Sequence, residues 1–129
     1  MWKLVKTSIA IICLFSVGYV QSDVNEVLIN ICNIVKADDK GELRKKMKRV
    51  ETDFNLKLKD YYPAISCDGN SLIRTAMLNN AIKTGTLMVK KMSKSDLSAP
   101  EQDGKTVITW ASENGLDSSP IVAVLKGRI

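Results

Sequence analysis

Histidine is absent from the 129-residue chain. That one absence removes Ser-His-Asp and Cys-His hydrolases and every zinc site built on imidazole. No phosphate-binding G-x-x-x-x-G-K-[ST] loop, dinucleotide-binding G-x-G-x-x-G turn or EF-hand loop occurs either. No catalytic residue and no metal ligand is assigned, no cofactor is expected, and the chain is not expected to be an enzyme. Glu113 and Asp117 sit close enough in sequence to make a carboxylate pair, but 14 acids in a small domain make such a pair an expected accident. Aromatic residues are scarce at 5%, against 45% hydrophobic residues in all and a formal charge of +5. These values fit one small domain.

The first residues form a unit of their own. Lys3 and Lys6 precede the apolar run Ile9 to Val17, IAIICLFSV, which leads into the more polar Gly18 to Ser22. This is the outline of a secretory signal peptide over residues 1–22, cut after Ser22 or, as the second choice, after Gly18. Thr7 to Val20 gives 14 residues, where a membrane-spanning helix needs about 20. Cys13 lacks the small residues that precede a lipoprotein cysteine. The expectation is therefore an exported protein, periplasmic or secreted, with one helical domain over residues 23–129.

Removing 22 residues leaves 107 of the 129, with 17 Lys and Arg against 14 acids and a net charge of +3. That is too little to argue for nucleic acid as a partner. Cys32 and Cys67 remain. A spacing of 35 residues excludes a C-x-x-C redox pair, and without histidine the two cannot build a zinc site alone. In an exported chain they are a disulfide, with two buried thiols as the alternative.

The pattern predicts an all-α fold of about six helices. Val24, Val27, Leu28, Ile31, Cys32, Ile34 and Val35 recur every three or four positions, as one helix with a wide buried stripe. Asp38 and Asp39 interrupt it and suit the start of the next. Leu43, Met47, Val50, Phe54, Leu58 and Tyr61 continue as an uninterrupted stripe about five turns long, ended by Tyr62-Pro63. Ser71 caps a helix over Leu72 to Ala81, another starts near Thr84, and Ser93 to Gln102 reads as a surface loop. Helices near Thr106 to Asn114 and Ser119 to Lys126 complete the chain.

An offset of 35 residues matches Asp68, Gly69, Ile73, Ala76, Asn79, Val89 and Lys91 to Asp103, Gly104, Ile108, Ala111, Asn114, Val124 and Lys126. An offset of 44 matches Leu28, Ile29, Ala37, Gly41, Leu43 and Lys46 to Leu72, Ile73, Ala81, Gly85, Leu87 and Lys90, and puts Cys32 on the small-residue position of Ala76 and Ala111. Three stacked helical hairpins are the expected architecture. The segment Asp103 to Gly115, DGKTVITWASENG, resembles an ankyrin repeat, departing from it at Val107 and Thr109, where that pattern carries proline and histidine. Leu72 and Arg74 depart in the same way, so the resemblance implies a degenerate ankyrin-like stack.

Cys32 after its apolar stripe, Cys67-Asp68-Gly69-Asn70-Ser71-Leu72 and the segment Ala76 to Gly85 are also similar to a family of small exported bacterial proteins. That family is classed only as a domain of unknown function, number thirty-seven eighteen. The resemblance covers roughly Val24 to Met92 and departs at Asp68, where the family usually has asparagine. It implies an envelope or secreted location and paired cysteines, and brings no activity.

Two surfaces are candidates for binding. Lys40, Arg44, Lys45, Lys46, Lys48 and Arg49 concentrate on one helix and suit an anionic lipid, glycolipid or polyanion, unless they are a solvated face paired with Glu42, Glu51 and Asp53. Tyr61, Tyr62 and Trp110 are candidates for a protein partner's groove, with Trp110 alternatively closing the end of the stack. A protein-interaction module is the leading expectation and the anionic-surface binder the second.

Overall fold

The computed structural model describes residues 25–129. The expected signal peptide, residues 1–22, lies outside the described residues. After a helical turn at 25–28 come eight α-helices: α1 (Ile31–Lys36), α2 (Lys40–Phe54), α3 (Leu58–Tyr61) with a 3-10 turn (Tyr62–Ala64), α4 (Leu72–Leu78), α5 (Ile82–Lys91), α6 (Lys94–Ser98), α7 (Val107–Glu113) and α8 (Pro120–Arg128). The fold is all-α, with no strand among the described residues.

Contacts between helices define three hairpins. α1 packs on α2, α4 on α5 and α7 on α8; across hairpins, α1 meets α4 and α4 meets α7, while α2 meets α5 and α5 meets α8. First helices thus form one layer and second helices another. α3 and α6 lie in the two connections.

Each first helix ends the same way. The N–H of Asp39 donates to the Ile34 carbonyl at 3.2 Å, that of Ala81 to Ala76 at 2.8 Å and that of Leu116 to Ala111 at 2.8 Å. The residue before each donor, Asp38, Asn80 or Gly115, holds a positive φ of 57°, 51° or 71°. Three Schellman turns of one geometry therefore reverse the chain three times. They set the offset between hairpins one and two at 42 residues, which corrects the expected 44. Ile34, and not Cys32, stands in the place of Ala76 and Ala111. Cys32 matches Arg74 and Thr109.

Three expected boundaries also move. The stripe from Leu43 to Tyr61 is broken at Asn55, which takes φ 55° and ends α2, its N–H bonded to the Glu51 carbonyl. Asparagine enters the left-handed region at low cost, and the chain restarts at Lys57, whose N–H donates to Asp60 Oδ2 at 2.8 Å. The first helix is likewise interrupted at Ile29 and Asn30, and Ile29 is 73% exposed. The segment expected as a loop, Ser93 to Gln102, contains α6, because the Ser93 hydroxyl accepts from the Asp96 N–H and donates to its carboxylate.

One core runs through all three hairpins, with Val35, Leu43, Val50, Leu72, Ile73, Met88, Ile121 and Leu125 fully buried. Thr84 ties hairpin one to hairpin two. Its backbone N–H donates to Asp38 Oδ1 at 2.9 Å and its hydroxyl to the Val35 carbonyl at 3.1 Å. α5 and α8 approach closely at Gly85, where a Cβ would stand 2.5 Å from Ile121 Cδ1, 2.9 Å from Ile121 Cγ1 and 3.2 Å from Ala76 Cβ.

Gly85→Ala is therefore expected to cost stability even though alanine favours a helix by up to about 1 kcal/mol, because overpacking costs about 1–3 kcal/mol. Adding Ile121→Val removes the atom nearest the new methyl and should recover part of the loss, read as the urea midpoint. A Gly85→Ala protein as stable as the parent contradicts the close packing of α5 on α8.

Candidate binding surface

The two connections between hairpins are each fastened to the preceding first helix. Cys32 on α1 is bonded to Cys67 at 2.02 Å, with Cα atoms 5.7 Å apart. Cys67 opens a tight turn in which its N–H and carbonyl both bond to Asn70, while Asp68 and Gly69 take φ 53° and 85°. This is the Asp-Gly reversal that positive φ at both central residues requires. Ser71 follows as the cap of α4. The second connection uses Arg74, the residue matching Cys32. Its guanidinium bonds to both oxygens of Asp103 at 2.8 Å and to the Lys105 carbonyl at 3.2 Å.

Arg74 is buried, with Tyr62 and Trp110 buried beside it, while Asp103 stays open to solvent on its outer side. Its Nε lies 2.6 Å from Glu101 Oε1 as an ion contact without the alignment of a hydrogen bond. The Tyr62 hydroxyl donates to Glu101 Oε2 at 2.6 Å and the Ser71 hydroxyl to Oε1 at 2.9 Å. Its guanidinium carbon sits 5.1 Å from the Trp110 ring centroid. Every charge in this cluster is thus committed to another. The bidentate guanidinium holds the Asp103 carboxyl well below the usual carboxylate range, and the same hydrogen bonds raise Arg74. Burial pushes the Tyr62 phenol far above its ordinary value, with Glu101 adding to it.

This cluster floors a cleft of about 620 Å³ between the two connections, with Pro63, Ile65, Met92 and Pro100 among its walls. Gln102 Nε2 bonds across to the Pro63 carbonyl at 3.1 Å. The floor donors and acceptors are already used, so the cluster acts as a fastener.

Tyr61, Tyr62 and Trp110 are not presented to a partner, which corrects the expectation of a partner groove. All three are buried, Trp110 to 8% exposure. Tyr62 is drawn in by Glu101 and Trp110 is covered by Arg74, while burial pushes the Tyr61 phenol up to about 12.

The basic helix is α2. Lys40, Arg44 and Lys48 are exposed, spaced four apart along it, and form no ion pair among the described residues. Lys45 reaches Glu42 at 3.6 Å and Arg49 reaches Asp53 at 3.5 Å, both in solvent, where such pairs contribute little. Lys46 departs from the expected set. It is half-buried and its Nζ donates to the Val27 carbonyl, holding the turn at 25–28 to α2. Glu113 is taken by Lys105 at 2.6 Å and makes no pair with Asp117. No group of three or more potential metal ligands occurs among the described residues.

A family model described as a protein of unknown function (DUF3718) matches residues 31–99, over half of the chain. The chain belongs to that family. The DUF3718 segment begins at the first residue of α1 and ends just after α6, so it holds hairpins one and two with the disulfide and Arg74. Glu101, Asp103 and the third hairpin lie beyond it. No curated protein and no solved structure matches the chain.

Sequence reading missed Arg74 as a fastener. The signal was its place inside Leu72 to Met77, a run in which all six residues are buried.

Arg74→Met is expected to destabilise the fold by about 3–5 kcal/mol, because it leaves the mostly buried Glu101 carboxylate uncompensated. The pH dependence has a definite sign. Asp103 is depressed in the folded state, so its contribution is complete above the ordinary carboxylate value near pH 4 and is lost as pH falls further. The gap in melting temperature between parent and Arg74→Met should therefore narrow in acid. A gap that is small at neutral pH, or that widens in acid, contradicts the cluster.

Proposed function

We propose that this DUF3718 protein is a non-catalytic binding module of the exported space that attaches to an anionic partner through α2. The observation that carries the reading is the exposed line of Lys40, Arg44 and Lys48, left without acidic partners while the cations of the cleft are consumed in fastening. Export is supported by the basic-then-apolar start of the chain and by a disulfide that needs an oxidising compartment. No helix among the described residues is long and apolar enough to cross a membrane. The stacking of hairpins in two layers supports an ankyrin-like arrangement, degenerate in its turn chemistry.

A second reading, a protein partner, is favoured by Leu78 and Ile82, which stand 51% and 37% exposed at the tip of the second hairpin. Salt separates the two. Exposed charge is screened within about 8 Å at physiological ionic strength, whereas an apolar contact at Leu78 is not.

Each Lys or Arg held against an anionic surface contributes about 1 kcal/mol. Lys40→Glu, Arg44→Glu and Lys48→Glu together should weaken binding to long-chain polyphosphate or to anionic phospholipid vesicles on the order of a hundredfold. Binding by the parent should also fall steeply from low to physiological salt. Affinity that ignores both salt and the three reversals contradicts the reading.

A further inference from the structure

The cationic character of α2 does not stop at that helix. α5 and α8, which continue its layer, contain no Asp or Glu. On α5, Lys83 and Lys90 lie seven residues apart on one exposed face, opposite buried Thr84 and Met88. On α8, Lys126 is exposed at the flank of the face buried through Ile121, Val122 and Leu125. None of these three lysines forms an ion pair among the described residues.

The acids are elsewhere. Asp60, Asp68, Asp96, Asp103, Glu113 and Asp117 belong to connections, turns or the first-helix layer. α2 alone in the second layer carries acids, and two of its three, Glu42 and Asp53, are paired within the helix. Exposed cations thus gather on the second layer, while most acids stand in the connections and turns.

The shape of the patch decides what it fits. From Lys40 to Lys48 the line runs about 12 Å along α2, and three packed helices carry the free cations about 20 Å across. A single polyanionic strand engages a line of charge, whereas a plane of charge meets a plane of phosphates. We infer that the outer face of α2, α5 and α8 docks flat on a membrane surface rich in anionic phosphate headgroups. This deepens and rests on the electrostatic reading of α2. Among the described residues Ile82 is the one exposed large apolar side chain of α2, α5 and α8, so the attachment is peripheral and reversible by salt.

The test is co-sedimentation of the full chain with vesicles of phosphatidylcholine alone and with phosphatidylglycerol added, beside long-chain polyphosphate. Neutral vesicles measure any pull from the apolar N-terminal run, which all variants share. The variant Lys83→Gln, Lys90→Gln, Lys126→Gln keeps α2 intact and changes only exposed positions, with circular dichroism to verify its helicity. Its affinity for anionic vesicles should fall on the order of tenfold or more, while its affinity for polyphosphate stays within about twofold of the parent's. Unchanged vesicle binding by this variant, with binding still abolished by the α2 reversals, overturns the plane and leaves the α2 reading standing. Polyphosphate binding without vesicle binding overturns the membrane as partner. Indifference of both probes to the α2 reversals ends both readings at once.

Discussion

Short helices cannot bury their own apolar faces, and this chain has first helices of only six or seven residues. Everything in the fold then depends on what fastens one hairpin to the next. The offset set by the Schellman turns places Cys32, Arg74 and Thr109 at one position of the three first helices. Cys32 reaches the turn that launches hairpin two, and Arg74 reaches the turn that launches hairpin three. Thr109 is exposed, and its hydroxyl accepts from that of Thr106 one turn earlier. One place in the repeat therefore carries a covalent bond, then an ion cluster, then an exposed threonine.

The two fasteners obey different physics. Closing a 35-residue loop covalently contributes on the order of 3–4 kcal/mol by limiting the unfolded chain, and it exists only where thiols are oxidised. The Arg74 cluster contributes chiefly specificity of register. Desolvating a guanidinium and a carboxylate offsets much of their attraction, yet the bidentate fork accepts only one placement of Asp103. Hairpin three carries no covalent tie among the described residues and lies past the DUF3718 match, so its seating rests on that fork and on the packing of Ile121 over Gly85.

Much of this was legible. Ser71 was legible as a helix cap and Thr106 and Ser119 as helix starts, where each proves to be the cap, and the pairing of Cys32 with Cys67 followed from what else those residues could not do. Asn55 was invisible, because the stripe at Leu43, Met47, Val50, Phe54, Leu58 and Tyr61 keeps helical spacing straight through the break. A period cannot report one residue turning left-handed. The offset of 44 arose from side-chain identities that the backbone turns do not share. Arg74 was noted as a departure from a repeat pattern, but its partners lie 29 residues on, a distance over which pattern says nothing. Lys46 was counted with its neighbours on α2 because sequence shows charge and not the carbonyl that consumes it.

The functional account joins the covalent fastener to location: the Cys32–Cys67 bond fits an exported protein, where the proposed role of α2 is to meet an anionic surface. Intact mass of the protein recovered from its own host, with alkylation before and after reduction, addresses that claim most directly. A chain beginning at Asp23, alkylated at two cysteines only after reduction, is the predicted result. A full-length chain with freely alkylated cysteines would contradict it.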